Sequence, residues 1–448
     1  MHTEAKSVWE PRVYALILLL MAAMYLYAGI MSVIPEYGFD WTQFRYVEPA
    51  AVVASYLVSG LAIVFLLHRR PALHKRFERK FPSGFHFSVP MRLLVYAFFS
   101  VAAAWLFWTL RSNFINPDGW MFTEKLPRDV SLVGAHVTHD EMWELYIHSR
   151  FWFYTNARLE WSVIKSYQML SCLAGGVFVF FALVLCWLLA PKRWFPLFAL
   201  LVSGGYMQLF FGDAENYTMT ATLVLIYLFT GYLFLQRRLS IVVPSVVLAL
   251  AATFHLLAGW LGPSLLYLYW VARSRGQLRQ VVLGVALAVL IVVGTLTFFH
   301  FNGLPIRLLF ERSHALGHGF DWSRNVHVPT LDHLRQVARL LLLLYPPAIL
   351  VIPMYFFGKI RRQPFNVFLT WALGFLLLFA IVWESWIGYY YDWNLFAVLA
   401  IPLGLLVGYN VVLMDDFRHQ VALSVGLFAT ATLPSYAWIV ANHYYFVR

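Results

Sequence analysis

The chain has 448 residues, of which 61% are hydrophobic and 18% aromatic while only 12% are charged, and its mean hydropathy is +0.67. Soluble domains carry about 25% charged residues, so this composition excludes a soluble protein with a single anchor and points to a membrane protein throughout. The formal net charge of +11 would suit nucleic acid, but the basic residues lie in short runs between apolar segments, which is a topology signal, and no nucleic-acid partner is expected.

Runs of about 17–25 apolar residues mark spans. About 13 are expected, near 13–34, 49–67, 91–110, 167–190, 194–211, 217–235, 241–256, 258–272, 281–300, 338–357, 366–386, 394–413 and 420–440. The first is apolar for too long to be the core of a signal peptide, and no small-residue cleavage site follows it. The pair 241–256 and 258–272 is short and reads either as two spans or as a re-entrant hairpin. The fold class is therefore all-α, a polytopic transmembrane helical bundle. Cys172 and Cys186 share one apolar run, about 21 Å apart along a helix, too far to bridge.

With the N-terminus in the cytoplasm, the basic runs "HRRPALHKRFERK" (68–80), "PKRW" (191–194), "QRR" (236–238), "ARSRGQLR" (272–279) and "GKIRR" (358–362) all fall inside. Roughly 20 of the Lys and Arg residues then lie inside and the C-terminus lies outside. Two outside loops are long, about 111–165 and 301–337. In the first, "HDEMWELYIHSRFWFY" spaces Met142, Leu145, Tyr146 and Ser149 as one face of an amphipathic helix on the membrane surface.

On this topology ionisable side chains collect at the outer edge: Asp213 and Glu215 in "GDAENY", His255 in "TFHLL", Glu384, and Asp392 in "YYDWN". The long loops add Asp118, Asp140, Glu141, Glu144, Arg128, Arg307, Arg312 and Arg324. Ionisable groups at membrane depth usually face a cavity and mark a functional site. Plainer readings exist. Asp213 and Asp392 fit as helix caps, His255 as a satisfied core histidine, and the aromatic run 383–393 as an interfacial belt. The sequence has no tight Cys/His cluster, Walker loop, GxGxxG or GxSxG elbow. A divalent cation, Mg²⁺ or Mn²⁺, stays open because carboxylate-only sites have loose spacing.

Three stretches resemble a bacterial branch of the GT-C class of membrane glycosyltransferases. They are "NPDGWMFTEKLPRDVSLVGAHVTHDEMWELY" (116–146), "GDAENYTMTATLVLIYLF" (212–229) and "YYDWNLFAVLAIPLGLL" (390–406), accompanied by "FHLLAGWLGPSLLYL" (254–268). The resemblance covers roughly 91–415. It divides the chain into a two-span extension with a basic cytoplasmic loop, 1–90, and a GT-C-like catalytic region, 91–448. Asn394 departs from the last motif, which tends to have a second Asp there. If the two extra spans shift the register, Asp40 replaces Asp118 as the first-loop acid.

The resemblance implies transfer of a sugar, with inversion, from a polyprenyl-phosphate donor to a lipid, glycan or protein acceptor on the outer face of a bacterial cytoplasmic membrane. It makes Asp118 the expected general base, with Asp140 and Glu141 in reserve. Arg128, Arg307 and Arg312 are the expected partners of the donor phosphate, joined by His255 if it carries charge. Asp213, Glu215, Asn216 and Asp392 are expected to bind sugar or acceptor. A lipid flippase and a lipid-linked glycan ligase or polymerase are the alternatives.

Overall fold

A computed structural model describes Val58, Leu61, residues 88–115, 117–125, 140–306 and 329–351, Tyr355, and residues 363–385, 392–414 and 417–444. The two expected N-terminal spans, Asp40, Arg128, Arg307, Arg312 and Arg324 lie outside these residues, as do the side chain of Asp118 and most of both long loops.

The described residues are helical, with no strand among them. The helices in chain order are α1 Val89–Thr109, α2 Pro117–Lys125, α3 Met142–Leu159, α4 Val163–Leu189, α5 Trp194–Leu201 and α6 Thr218–Leu235. They continue with α7 Val242–Phe254, α8 Gly262–Ser274, α9 Leu278–Phe301, α10 Leu331–Leu344, α11 Pro364–Val382, α12 Trp393–Ala397, α13 Ala400–Val412 and α14 Phe417–Tyr444. Among the described residues, seven segments are long and apolar enough to cross a membrane, so the chain is a membrane protein. Of the other expected spans, 194–211, 241–256, 258–272 and 338–357 coincide with shorter or interrupted helices.

Two interruptions meet in the core. α5 ends at Leu201 and resumes as a short 3-10 helix, Gly205–Phe210; α10 ends at Leu344 and resumes as another, Pro346–Leu350. A broken helix leaves carbonyls without partners. Here the Tyr206 hydroxyl donates to the Leu201 carbonyl (2.5 Å) and the Tyr345 hydroxyl to the Leu200 carbonyl (3.3 Å). Both tyrosines are fully buried. The breaks are thus sealed by neutral hydroxyls, which is how irregular backbone is tolerated at membrane depth.

The bundle has two chemically distinct ends. At one, Arg193 donates to the carbonyls of Val412 and Met414 (2.6 and 2.8 Å), and Arg275 to those of Phe234 and Leu235 (3.0 and 2.9 Å). Both guanidinium groups sit at helix C-termini, where cations are stabilised. Lys192, Arg237, Arg238, Arg273 and Arg279 cluster there too. Every Asp and Glu whose side chain is described stands at the opposite end. Between them, α11 and α13 are joined by a reciprocal amide pair, Asn366 and Asn410 (3.0 and 3.1 Å), which is neutral polar glue between membrane helices.

Candidate functional site

The acidic end is assembled from segments far apart in sequence. Just after α1, the chain is tied down by backbone bonds from Ser112 N–H to the Phe211 carbonyl (2.7 Å) and from Asn113 N–H to the Asn442 carbonyl (2.8 Å). Gln168 on α4 donates to the Ser112 carbonyl (2.6 Å). The turn 211–217 is held against this frame. Gly212 adopts φ +72°, and a Cβ there would meet the Arg111 Cβ at 2.7 Å, so only glycine fits that backbone. α2, which carries Asp118, closes on the same turn. A Cβ on Gly119 would lie 2.8 Å from the Ala214 carbonyl.

α3 is clamped on two sides. The Trp143 indole N–H donates to Thr295 Oγ1 on α9 (3.0 Å), and its ring stacks on Phe298 at 5.3 Å. One turn on, His148 stacks on Tyr167 of α4 at 4.1 Å, and Tyr167 stacks on Phe122 of α2 at 5.4 Å. The expected amphipathic helix therefore forms over Met142–Leu159, with Phe153 and Tyr154 exposed on its outer side. Its inner face carries more than apolar residues. Glu144 and His148 are completely buried there.

Glu144 resolves how α6 begins. Asp213 does not cap it. Instead Glu144 Oε1 accepts from the Met219 N–H at 2.9 Å, across 75 residues of sequence, and the Thr220 amide and hydroxyl also face the carboxyl. Burial pushes the Glu144 carboxyl well above the usual carboxylate range, against the opposing pull of these donors. Burial likewise pushes His148 down to about 4. The imidazole of His148 is therefore neutral near pH 7. His148 Nδ1 donates to the Glu144 carbonyl (2.8 Å), so its Nε2 is a bare acceptor. Glu144 Oε2, His148 Nε2, the Tyr167 hydroxyl and Asn216 Oδ1 are all buried without a protein hydrogen-bond partner. Buried polar atoms seldom stay unpaired.

In front of this layer stands Glu141. Asn216 Nδ2 donates to its Oε2 at 3.0 Å, and His255 Nε2 lies 3.3 Å from its Oε1. His255 comes from the tip of the α7–α8 hairpin. α7 has 13 residues and rises about 20 Å, short of the roughly 30 Å hydrocarbon core. The hairpin starts and finishes at the basic end, and its tip delivers His255 to a recessed position. The tip is anchored by the Leu256 N–H donating to the Asp140 carbonyl (2.7 Å). The Tyr217 ring packs over the imidazole at 4.9 Å.

Asp213 is buried behind the turn. Its carbonyl accepts from the Ser171 hydroxyl (2.5 Å), and its carboxyl accepts from Asn394 Nδ2 (3.3 Å). Burial raises the Asp213 carboxyl to about 7, with the Asn394 contact opposing. Asn394 is thus the amide that faces this buried acid. Asp392 precedes α12 at the same place, with no side-chain cap bond to that helix. Glu215, buried in the turn, lies within electrostatic reach of the Tyr167 hydroxyl together with Glu141 and Glu144.

Of the residues singled out from sequence, the structure brings together Asp140, Glu141, Asp213, Glu215, Asn216, His255 and Asp392. It places the backbone of Asp118 on the helix that closes against Ala214. Glu384, also expected at this edge, is exposed just beyond α11. The sequence showed Glu144 as one loop acid among several, gave Asn394 only as a departure from a motif, and did not single out His148 or Tyr167. The signal for Glu144 and His148 was their four-residue spacing alongside Leu145 and Ser149. Among the described residues, no group of three or more His, Cys, Asp and Glu is placed to hold a metal ion. No family model, curated protein sequence or solved structure matches this chain.

Proposed function

We propose that the protein is an integral-membrane glycosyltransferase of the GT-C kind, moving a sugar with inversion from a polyprenyl-phosphate donor to an acceptor at the acidic, outer end of the bundle. The observation that carries the reading is the convergence of 140–144, 213–219, 255–257 and 392–394 at one recessed face. On this reading the basic end faces the cytoplasm of a bacterial cell, as the positive-inside rule requires, and the C-terminus lies outside. A polyprenyl tail reaches such a face laterally from lipid. The many carboxyl and amide groups suit sugar hydroxyls.

Glu141 takes the role of general base. It is oriented by an amide on one oxygen and faces an imidazole on the other, an arrangement that suits a proton acceptor. In the transfer, the acceptor oxygen attacks the anomeric carbon and its proton passes to Glu141. The anomeric carbon–oxygen bond to phosphate breaks, and the electron pair leaves with the phosphate. Arg128, Arg307 and Arg312 are the proposed phosphate partners. Asp213, Glu215, Asn216 and Asp392 shape the sugar and acceptor side.

A flippase is favoured by one observation, the paired helix breaks of α5 and α10, since transporters often bind substrate at such breaks. Those breaks are filled by Tyr206 and Tyr345 and contain no described Asp, Glu, Lys, Arg or His. The transferase reading therefore ranks first. Purified protein incubated with a labelled undecaprenyl-phosphate monosaccharide and a membrane lipid extract should release undecaprenyl phosphate and yield a labelled glycoconjugate. Movement of intact donor across liposomes without any covalent change would overturn the reading in favour of the flippase.

A further inference from the structure

His255 has a fixed proton. Its Nδ1 accepts a hydrogen bond from the Leu257 N–H at 3.1 Å, so that nitrogen carries a lone pair and the single ring proton sits on Nε2. The acceptance is structural as well, because the side chain caps the short helix Leu256–Leu261. Nε2 is buried and has no aligned hydrogen-bond partner. The nearest group, Glu141 Oε1, is 3.3 Å away and off line. The result is a buried N–H donor beside an oriented carboxylate. The histidine side chain is 7% exposed and the Glu141 side chain 19%, so a ligand enters from the glutamate side. A buried unpaired donor is costly and points to an acceptor atom supplied from outside the chain.

We propose that the Nε2–H of His255 donates to the nucleophilic atom of the acceptor while Glu141 takes that atom's proton, so that the site transfers sugar to an alcohol and rejects an amine. The proposal rests on the transferase reading and adds the acceptor class. An alcohol oxygen satisfies both protein groups during attack. Its O–H is directed to Glu141, one lone pair attacks the anomeric carbon, and the second accepts from Nε2–H. A neutral amine has a single lone pair, which the attack consumes, and would leave Nε2–H facing a nitrogen with nothing to accept. Sites built on such a hydrogen bond discriminate far more strongly than apolar pockets, because rejection leaves a buried polar group unpaired. His255 thereby serves as a neutral donor and not as an imidazolium partner of phosphate.

Two variants separate this role from helix capping. In His255→Asn the short side chain still accepts from the Leu257 N–H but its amide falls short of the nucleophile. In His255→Gln the amide N–H reaches further toward the Nε2 position. With an undecaprenyl-phosphate monosaccharide as donor and membrane lipid extract as acceptor, His255→Asn should fold and lose about 10²–10³-fold in kcat, the usual effect of removing one preorganised donor. Donor KM should change little, and His255→Gln should recover part of the loss. Mass spectrometry of the product should find the sugar on oxygen. In ¹⁵N-histidine NMR spectra, the resonances lost in His255→Asn should be those of a ring protonated at Nε2 and bare at Nδ1. Transfer by His255→Asn at the parent's rate, an N-linked product, or the opposite tautomer overturns the proposal and leaves the transferase reading standing. If no labelled donor is consumed at all, the transferase reading fails and takes the proposal with it.

Discussion

Asp213 offers a quantitative test of how deeply the acidic end is buried. Its carboxyl is pushed up to about 7 from an ordinary value of 3.8, chiefly by burial. A shift of about 3 units corresponds to about 4 kcal/mol of preference for the protonated form. The sign follows from proton counting. Between pH 3.8 and about 7 the folded protein holds a proton that the unfolded chain has released, so stability falls as pH rises through this window. About 2–3 kcal/mol of the loss falls between pH 5 and pH 8. Above the folded value the cost is fully present. Asp213→Asn removes the titration while keeping the shape and an amide able to pair with Asn394. The assay is thermal unfolding of purified protein in one detergent, across pH 5 to 8, for parent and variant side by side. The parent's midpoint should fall with rising pH, and the variant's should fall less and lie above the parent's at pH 8. Identical slopes for the two proteins would refute the assignment of a desolvated acid at position 213.

Other parts of the structure make separate demands. Asn394→Asp should set a second carboxyl against Asp213, raise the acid's affinity for its proton further, and steepen the same pH slope; an unchanged slope would mean that the two side chains do not face each other. Glu144→Gln should cost less than about 1 kcal/mol, because burial disfavours the charged carboxyl and an acceptor oxygen is retained. Glu144→Ala should cost about 1–3 kcal/mol by leaving the Met219 N–H unpaired; equal losses for the two, read by chemical unfolding, would contradict the cap. Asn410→Ala should destabilise by about 1–2 kcal/mol, with little further loss on adding Asn366→Ala, since the two amides pair with each other. Additive losses in that double-mutant cycle would count against the pair.

The apolar runs made the helices legible, because membrane spans are specified by length and composition alone. α1, α4, α6, α9 and α11 start within a few residues of their expected positions. The breaks in α5 and α10 were not legible. "SGGYMQ" and "LYPPAI" are apolar enough to pass as continuous span, and only the neighbouring chain reveals what caps them. The gathering of acids at one edge followed from alternation of basic loops. The pairing within it did not. Glu141 finds Asn216 across 75 residues and Asn394 finds Asp213 across 181, and no local pattern encodes such partners. Glu144 was obscured for a physical reason as well. A carboxyl on an interfacial helix ordinarily faces water, and this one turns inward because the first turn of α6 supplies donors that only a buried acceptor can satisfy.

The account stands on Glu141 as the group that accepts the acceptor's proton. The most direct measurement is the rate of sugar release from a labelled undecaprenyl-phosphate monosaccharide by purified parent, Glu141→Gln and Asp118→Asn proteins in the presence of membrane lipid extract. Glu141→Gln keeps the shape and removes the base, and its kcat should fall by about 10²–10⁴-fold, with Asp118→Asn falling less. Full activity in Glu141→Gln, with Asp118→Asn inactive, would move the chemistry out of the recessed face and contradict the account.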